Sequence, residues 1–268
     1  MAEKTKIAWT DSTFNPWIGC TKVGPGCDHC YAEAFAKRTG KAVWGNDVPR
    51  LQTKGPWKEV VKWERESAAF FAEHGRKRRV FCASLADVFD NQVEQMWRDY
   101  VWEIMAACPN LNFQIVTKRI GNLEKMIPEI WRGFGFPQNV GVMSTIVNQQ
   151  EADRDIPKLL KAKADFNIPW VGLSMEPLLA EVQVAEYLPN SLWNNLPSWK
   201  QPELDWIIVG GESGSKWRKM RFEWAYSLMS QAKAAGVPFF FKQVSDLHPT
   251  DAMIESELRV REYPEALR

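Results

Sequence analysis

The segment Asn112-Phe-Gln-Ile-Val-Thr-Lys118 is followed, after a helical stretch, by Asn139-Val-Gly-Val-Met-Ser-Thr-Ile146. Each run has the length of a strand, is rich in apolar residues and ends in polar side chains. Such strands are typical of parallel sheets that are covered on both faces. The stretch therefore predicts a strand, a helix and a second parallel strand, joined by a right-handed crossover.

The same unit recurs along most of the chain. The other strand-like runs are Arg79–Leu85, Pro169–Glu176, Leu204–Gly210 and Val237–Gln243, and a strand near Lys6–Thr10 could precede them. Helical patterns lie between the runs, so the sequence predicts an α/β fold of six to seven parallel strands. A closed or partly open barrel and a doubly wound sheet both fit this pattern. We expect one domain over residues 1–268, with an insertion at about 40–77 that holds one helical stretch, and a loop-rich segment at about 186–203.

Composition narrows the function classes. The 268 residues contain 34 Lys+Arg and 33 Asp+Glu, which excludes a strongly basic nucleic-acid coat but allows a local basic groove. No apolar run approaches the roughly 18 residues of a membrane span, and the first six residues lack the apolar core of a signal peptide. We expect a cytoplasmic protein with no membrane partner.

The predicted strands end in polar residues, and in parallel α/β folds the carboxyl ends of the strands collect the reactive groups. These ends carry Ser84 and Asp87, Thr117-Lys118-Arg119, Ser144-Thr145, Ser174-Met-Glu176, Gly210-Gly211-Glu212 and Lys242-Gln243. Six polar ends in phase predict one shared polar mouth. Lys118, Arg119 and Lys242 would hold an anionic substrate there, or would pair with Asp87, Glu176 or Glu212.

The strongest local signal is a loop with the spacing C-x6-C-x2-C, formed by Cys20, Cys27 and Cys30 just before a helix. In a reducing compartment, clustered cysteines indicate metal or cluster ligation more than disulfides. A structural zinc site would need a fourth ligand, such as His29, Cys82 or Cys108. A catalytic zinc site and three incidental cysteines are further alternatives. An iron–sulfur cluster prefers thiolates, and three of them would leave one iron open for a small molecule.

The chain resembles the radical S-adenosylmethionine superfamily and, more closely, its phage- and mobile-element-associated three-cysteine-motif proteins. The residues that carry the resemblance are Asn15-Pro16, Gly19-Cys20, Pro25-Gly26-Cys27, Cys30-Tyr31-Ala32-Glu33, Ser84-Leu-Ala-Asp87, Thr117-Lys118-Arg119, Glu176-Pro177-Leu178, Val209-Gly-Gly-Glu-Ser-Gly214 and Pro238-Phe-Phe-Phe-Lys-Gln243. They keep their order over most of the chain. One departure is the first cysteine gap, which is six residues here and three in most of the superfamily. The superfamily's Gly-Gly-Glu after the second strand is also not evident.

The resemblance implies a partial (β/α) TIM-like barrel with an insertion after the first helix, and a 4Fe-4S cluster on Cys20, Cys27 and Cys30. The fourth iron would take S-adenosyl-L-methionine, whose reductive cleavage yields a 5′-deoxyadenosyl radical. By position, Ser84 and Asp87 would bind the methionine amino group. Ser144, Glu176, Gly210, Gly211 and Glu212 would line the ribose and adenine.

The resulting hypothesis is an enzyme that modifies or rearranges a nucleobase or nucleotide, as in thymidine hypermodification of phage DNA. Lys118, Glu176 and Lys242 are the candidate catalytic residues, and the partners would be a nucleic acid or nucleotide and an external electron donor. The main alternative is a non-catalytic nucleic-acid-binding module with structural zinc on the three cysteines. A third reading, hydrolysis by Glu176 and Glu212, gives the cysteines no role.

Two basic stretches are further candidates for phosphate contacts. One is the run Arg76–Arg79, which could equally be a solvated strand entrance. The other is the insertion, where Arg38, Lys41, Arg50 and Lys54 alternate with Trp44 and Trp57. Such a mixture suits base stacking beside phosphate contacts.

Overall fold

A curled half-barrel of seven parallel strands organises the computed structural model, which describes residues 4–189 and 203–268. In chain order the strands are β1 (Ser12–Phe14), β2 (Trp17–Ile18), β3 (Leu51–Gln52), β4 (Arg78–Cys82), β5 (Leu111–Thr117), β6 (Val140–Thr145), β7 (Val171–Met175), β8 (Trp206–Gly210) and β9 (Phe239–Gln243). The spatial order of the main sheet is β1-β4-β5-β6-β7-β8-β9, with every neighbouring pair parallel. The predicted partial barrel is confirmed.

Helices connect the strands on the convex side. They are α1 (Tyr31–Arg38), α2 (Gly55–Arg65), α3 (Ser67–His74), α4 (Gln95–Ala107), α5 (Leu123–Met126), α6 (Glu129–Phe134), α7 (Gln149–Phe166) and α8 (Phe222–Ala235). The sequence explains several of their ends: Asn148 caps α7 by accepting a hydrogen bond from the Glu151 amide, and Gly236 follows α8 in the left-handed conformation. No helix among the described residues is long and apolar enough to cross a membrane.

Two sequence predictions about the N-terminal third are wrong in detail. The first strand is Ser12–Phe14 and not Lys6–Thr10, because the Thr10 amide turns back to the Ile7 carbonyl and pairing with β4 begins only at Asp11. The insertion between α1 and β4 contains two helices, α2 and α3, where one helical stretch was expected. Its short β3 pairs antiparallel with β2 and so ties the insertion to the segment before Cys20. Most of the loop predicted at 186–203 lies outside the described residues.

The two faces of the sheet are packed differently. The convex face forms the main apolar core with the helices, whereas the concave face carries a separate aromatic cluster that includes Trp170, Trp206 and Phe240. Gly141 allows this packing, since a Cβ there would lie 1.8 Å from the Trp170 ring. Leu267, near the C terminus, is fully buried in the same cluster. The aromatic cluster fills one part of the half-barrel and leaves a cavity at the carboxyl ends of the strands.

Candidate active site

A cavity of about 390 Å³ lies at the carboxyl ends of the parallel strands and is lined by eight of the predicted site residues. These are Cys20, Cys27, Cys30, Ser84, Asp87, Lys118, Glu176 and Lys242. Its volume is within the usual range for small-molecule sites. The polar strand ends and the three cysteines therefore share one site.

The cysteine loop begins at the end of β2 and finishes at the first turn of α1. Gly19, with φ of 119°, makes the entry, and a Cβ there would lie 2.4 Å from the Val43 carbonyl oxygen. A 3-10 turn over Pro25–Cys27 follows, and Cys30 is the N-cap residue of α1. All five cysteines of the chain are free thiols, and Cys27 is buried.

One side of this loop is held by Arg218 and Glu212. Arg218 donates hydrogen bonds to both Glu212 carboxylate oxygens, at 2.9 and 2.6 Å, and to the Pro25 carbonyl at 2.9 Å. It also contacts Asp28 at 3.1 Å, while the His29 ring lies 3.0 Å from Glu212. Burial alone would raise the pKa of Glu212, but the hydrogen bonds from Arg218 and His29 hold it below its usual range.

The other side of the loop is held by Arg119. Its guanidinium lies 3.3 Å from the Cys20 sulfur, donates to the Thr21 carbonyl at 2.6 Å and pairs with Asp87 at 3.1 Å. Burial raises the pKa of Cys20 to about 12 in the metal-free chain. Arg50 supports the same turn from the insertion, donating to Thr21 at 2.7 Å and to Asp90 at 2.8 Å.

The three thiols suit a multi-iron cluster, whose ligands bind to separate metal atoms. Within residues 4–189 and 203–268, no three His, Cys, Asp or Glu side chains are grouped so that they could hold one metal ion. In an iron–sulfur cluster each thiolate binds a different iron, so the three sulfurs need not meet at one point. The soft donor set of Cys20, Cys27 and Cys30, all at one cavity, suits such a cluster. Neither Cys82 nor Cys108 lines this cavity, and the His29 ring is engaged with Glu212.

Asp87 and Ser84 line the cavity but already have partners inside the protein. The Asp87 carboxylate accepts hydrogen bonds from the Phe89 and Lys118 amides and from the Thr117 hydroxyl. Ser84 exchanges hydrogen bonds with the Asn15 side chain, at 3.0 and 3.2 Å. The structure thus gives Asp87 a role in ordering the strand end and Arg119, and the predicted contact with a methionine amino group stays a prediction.

Glu176 and Lys242 form a polar pair that also lines the cavity. Lys242 Nζ forms an ion pair with Glu176 Oε1 at 2.8 Å. The Trp9 indole donates to Glu176 Oε2 at 3.1 Å, and Ser174 contacts the same oxygen at 3.4 Å. Gly210 stands directly beside this carboxylate, since a Cβ there would lie 3.0 Å from Oε1.

Four predicted residues do not line the cavity. Ser144 is fully buried in β6 with its hydroxyl unpartnered, and the next residue, Thr145, lines the cavity instead. Gly210 and Gly211 serve close packing: a Cβ on Gly211 would lie 2.2 Å from the Ser245 amide nitrogen. Glu212 holds the cysteine loop. Because Glu176 lines the cavity and Glu212 does not, the two carboxylates proposed for hydrolysis are not brought together.

The cavity also has apolar walls, and the sequence predictions left out Trp9, Phe81 and Val116 among them. Trp9, Trp44, Phe81, Tyr31 and Val116 supply apolar surface, and Ser213 and Gln243 add polar groups. The period-2 alternation of β4 and β5 could have indicated Phe81 and Val116, but no local pattern places Trp9 or Trp44 at a distant strand end.

Three arginines of the two basic stretches have structural partners, whereas Arg38 lines a cleft beside α1. Arg76 pairs with Asp11, and Arg79 stacks on the Tyr263 ring at 3.5 Å from its centroid. Arg50 is buried in its pair with Asp90. Trp57 packs edge-on against Phe14, so within the insertion Trp44 is the aromatic that reaches the cavity.

By sequence, the chain belongs to the family described as "Protein of unknown function (DUF5131)", whose model matches residues 4–264. No curated protein matches it significantly.

Two solved structures share a distant likeness with the fold. One is a spore photoproduct lyase with a single cysteine-to-serine substitution, which is 9% identical, covers 90% of this chain and 80% of its own, and has a TM-score of 0.44. The other is a doubly substituted spore photoproduct lyase with bound AdoMet and dinucleoside spore photoproduct. It is 10% identical, covers 83% of this chain and 61% of its own, and has a TM-score of 0.37.

Proposed function

We propose that this chain is a radical S-adenosylmethionine enzyme that modifies or rearranges a nucleobase or nucleotide. The observation that carries the proposal is the convergence of Cys20, Cys27 and Cys30 on one cavity at the carboxyl ends of a parallel half-barrel. When bound, a 4Fe-4S cluster with S-adenosylmethionine supplies a 5′-deoxyadenosyl radical that abstracts hydrogen from an unactivated carbon.

The chain's own residues position this chemistry. The three thiols would hold the cluster, while Arg119 and Arg218 fix the two sides of the loop that bears them. Fixed loop geometry matters because a reacting carbon must lie within contact distance of the radical.

The polar pair Glu176 and Lys242 offers a carboxylate acceptor and an ammonium donor to hydroxyl or anionic groups in the cavity. The indole of Trp9 orients the carboxylate. Lys118 lines the same cavity, and its side chain interacts electrostatically with the carboxylate of Glu151. It is a cation that a substrate phosphate or carboxylate could reach from the cavity.

The aromatic walls exclude water and suit a planar base. Trp9, Trp44, Phe81 and Tyr31 surround a space that carries more cations than carboxylates, namely Lys6, Lys118, Arg119 and Lys242 against Asp87 and Glu176. Aromatic surface beside positive charge is the combination that binds nucleobases with phosphate. Thymidine of phage DNA, the substrate that the sequence resemblance implies, stays a prediction within this class, as does an external electron donor.

The test is anaerobic reconstitution with iron and sulfide, followed by metal analysis and an absorption spectrum. We expect about four irons per chain and a band near about 400 nm, both lost in Cys27→Ala and retained in Cys108→Ala. Circular dichroism of both variants separates cluster loss from misfolding. A colourless wild-type protein holding about one zinc would contradict the proposal and favour the binding-module alternative.

A further inference from the structure

Three concave surfaces join at the mouth of the active-site cavity. The first is the cavity itself. The second, the α1 cleft, has a volume of about 800 Å³ and shares Cys30, Tyr31 and Ser213 with the cavity. The third, the Lys158 pocket, has a volume of about 270 Å³ and shares Lys118 and Arg119 with it. We call the continuous surface formed by all three the trough.

Positive charge is concentrated in this trough. Its lining contains ten Lys and Arg residues against five Asp and Glu, although the whole chain carries 34 against 33. All other positions of the chain consequently carry more carboxylates than cations. A chain with a net charge of only +1 therefore presents a local positive field at its active-site mouth.

The excess is present in both of the clefts that adjoin the cavity. In the Lys158 pocket, Arg154 and Lys158 share the single carboxylate of Asp155, at 2.6 and 2.9 Å. In the α1 cleft, Lys22 and Lys37 likewise share Glu33, at 3.2 and 2.6 Å. Each arrangement pairs two cations with one carboxylate, and in the Lys158 pocket the Glu151 carboxylate also interacts with Arg154 over a longer distance.

A stacking surface lies where the cavity and the α1 cleft meet. Tyr31 belongs to both, is 53% exposed, and has its hydroxyl fixed by a 2.6 Å hydrogen bond to the Ser84 carbonyl. An exposed ring held by its polar end can stack on a base with little loss of side-chain freedom. Lys216 lines the same cleft.

We propose that the trough binds a single strand of nucleic acid across the cavity mouth, so that the substrate is a base within a polymer and not a free nucleotide. This inference rests on the proposed function and specifies its substrate. A mononucleotide carries its phosphate next to its base, and Lys118 inside the cavity would serve it. Cations in two clefts that each share residues with the cavity fit the phosphates of neighbouring nucleotides, which a free mononucleotide lacks. A reacting base must leave its stack to enter a cavity walled by aromatic side chains, which an unpaired strand does most readily.

The test is fluorescence anisotropy with a fluorescein-labelled 12-nucleotide single-stranded DNA, titrated over a series of salt concentrations. Lys158→Glu changes the charge of the Lys158 pocket and Lys216→Glu that of the α1 cleft, and Lys58→Glu on α2 is the matched control outside the trough. We expect each trough variant to weaken binding at least about fivefold and to lower the logarithmic salt slope by roughly 0.7 per lost contact. The control should bind within about twofold of the wild type.

Two results would overturn the inference. One is wild-type affinity in both trough variants, and the other is competition by thymidine monophosphate as effective as competition by the unlabelled 12-mer at equal phosphate concentration. The same variants are reconstituted in parallel. If the wild-type protein forms its cluster but does not bind the strand, the trough proposal alone is rejected. If it binds the strand but forms no cluster, the proposed function is rejected.

Discussion

Removal of the Arg218 side chain should loosen the cysteine loop without unfolding the half-barrel. Arg218→Ala removes the guanidinium contacts to Glu212, Asp28 and the Pro25 carbonyl. Pro25 and Asp28 flank Cys27 in the cysteine loop. The rest of the sheet contacts none of these atoms, so the effect should be local.

The size of the effect follows from burial. A hydrogen bond to a charged group contributes about 1.5–3 kcal/mol, and the exposed pair with Asp28 adds little. The contact with Glu212 joins two residues of one segment, so it orients the guanidinium and does not itself hold the cysteine loop. The charged hydrogen bond to the Pro25 carbonyl carries most of the effect, and it is reduced because a third of the Arg218 side chain is exposed. We expect about 1.5–2 kcal/mol, equal to about a 10- to 30-fold change in the loop-opening equilibrium.

Alkylation of the metal-free protein measures this opening. Cys27 is 8% exposed, so iodoacetamide reaches it mainly through the open loop, and mass spectrometry gives its rate separately from the other cysteines. The rate at Cys27 should rise about 10- to 30-fold in Arg218→Ala and stay unchanged in Lys219→Ala, which removes an exposed charge next to Arg218. A Cys27 rate within about twofold of wild type in Arg218→Ala would refute the claim that this arginine holds the loop.

The remaining predictions concern packing around the site and are read by thermal unfolding or cluster retention. Asp90→Asn leaves the buried Arg50 without its charge partner and should cost about 3–5 kcal/mol; an unchanged melting temperature would show that the pair does not stabilise the fold. Gly26→Ala puts a Cβ 2.8 Å from a valine methyl and should make the reconstituted cluster decay faster in air. Cluster decay at the wild-type rate would show that the loop does not pack against this valine. Gly141→Ala puts a Cβ 1.8 Å from a tryptophan ring and should destabilise the protein by about 1–3 kcal/mol or more. Gly133→Ala, at an open position of α6, should stabilise it by up to about 1 kcal/mol. Equal melting temperatures for the two variants would contradict the packing described.

The fold was largely predictable because its strands are short apolar runs with strong boundaries. Four of the six runs from Arg79 to Gln243 contain a whole parallel strand, and the other two overlap strands that begin one residue earlier. The first strand was misplaced because Ser12–Phe14 is only three residues long and its burial comes from pairing with β4, which local composition does not reveal.

The site was predictable where residue identity limits the chemistry. Three cysteines on one loop and polar residues at strand ends pointed to one cavity, and eight of these residues line it. The side-chain direction at a strand end was harder, since a shift of one residue exchanges the two faces. Thr145 faces the cavity where Ser144 was expected. Glu212 binds Arg218, which lies six residues further along the chain, and no local pattern predicts that contact.

Reductive cleavage of S-adenosylmethionine tests the central claim most directly. The reconstituted protein, given dithionite and S-adenosylmethionine under anaerobic conditions, should release 5′-deoxyadenosine, as measured by chromatography. The Cys27→Ala variant should release none, and Cys108→Ala should match the wild type. A folded wild-type protein that carries its full complement of iron and sulfide and still forms no 5′-deoxyadenosine would contradict the account.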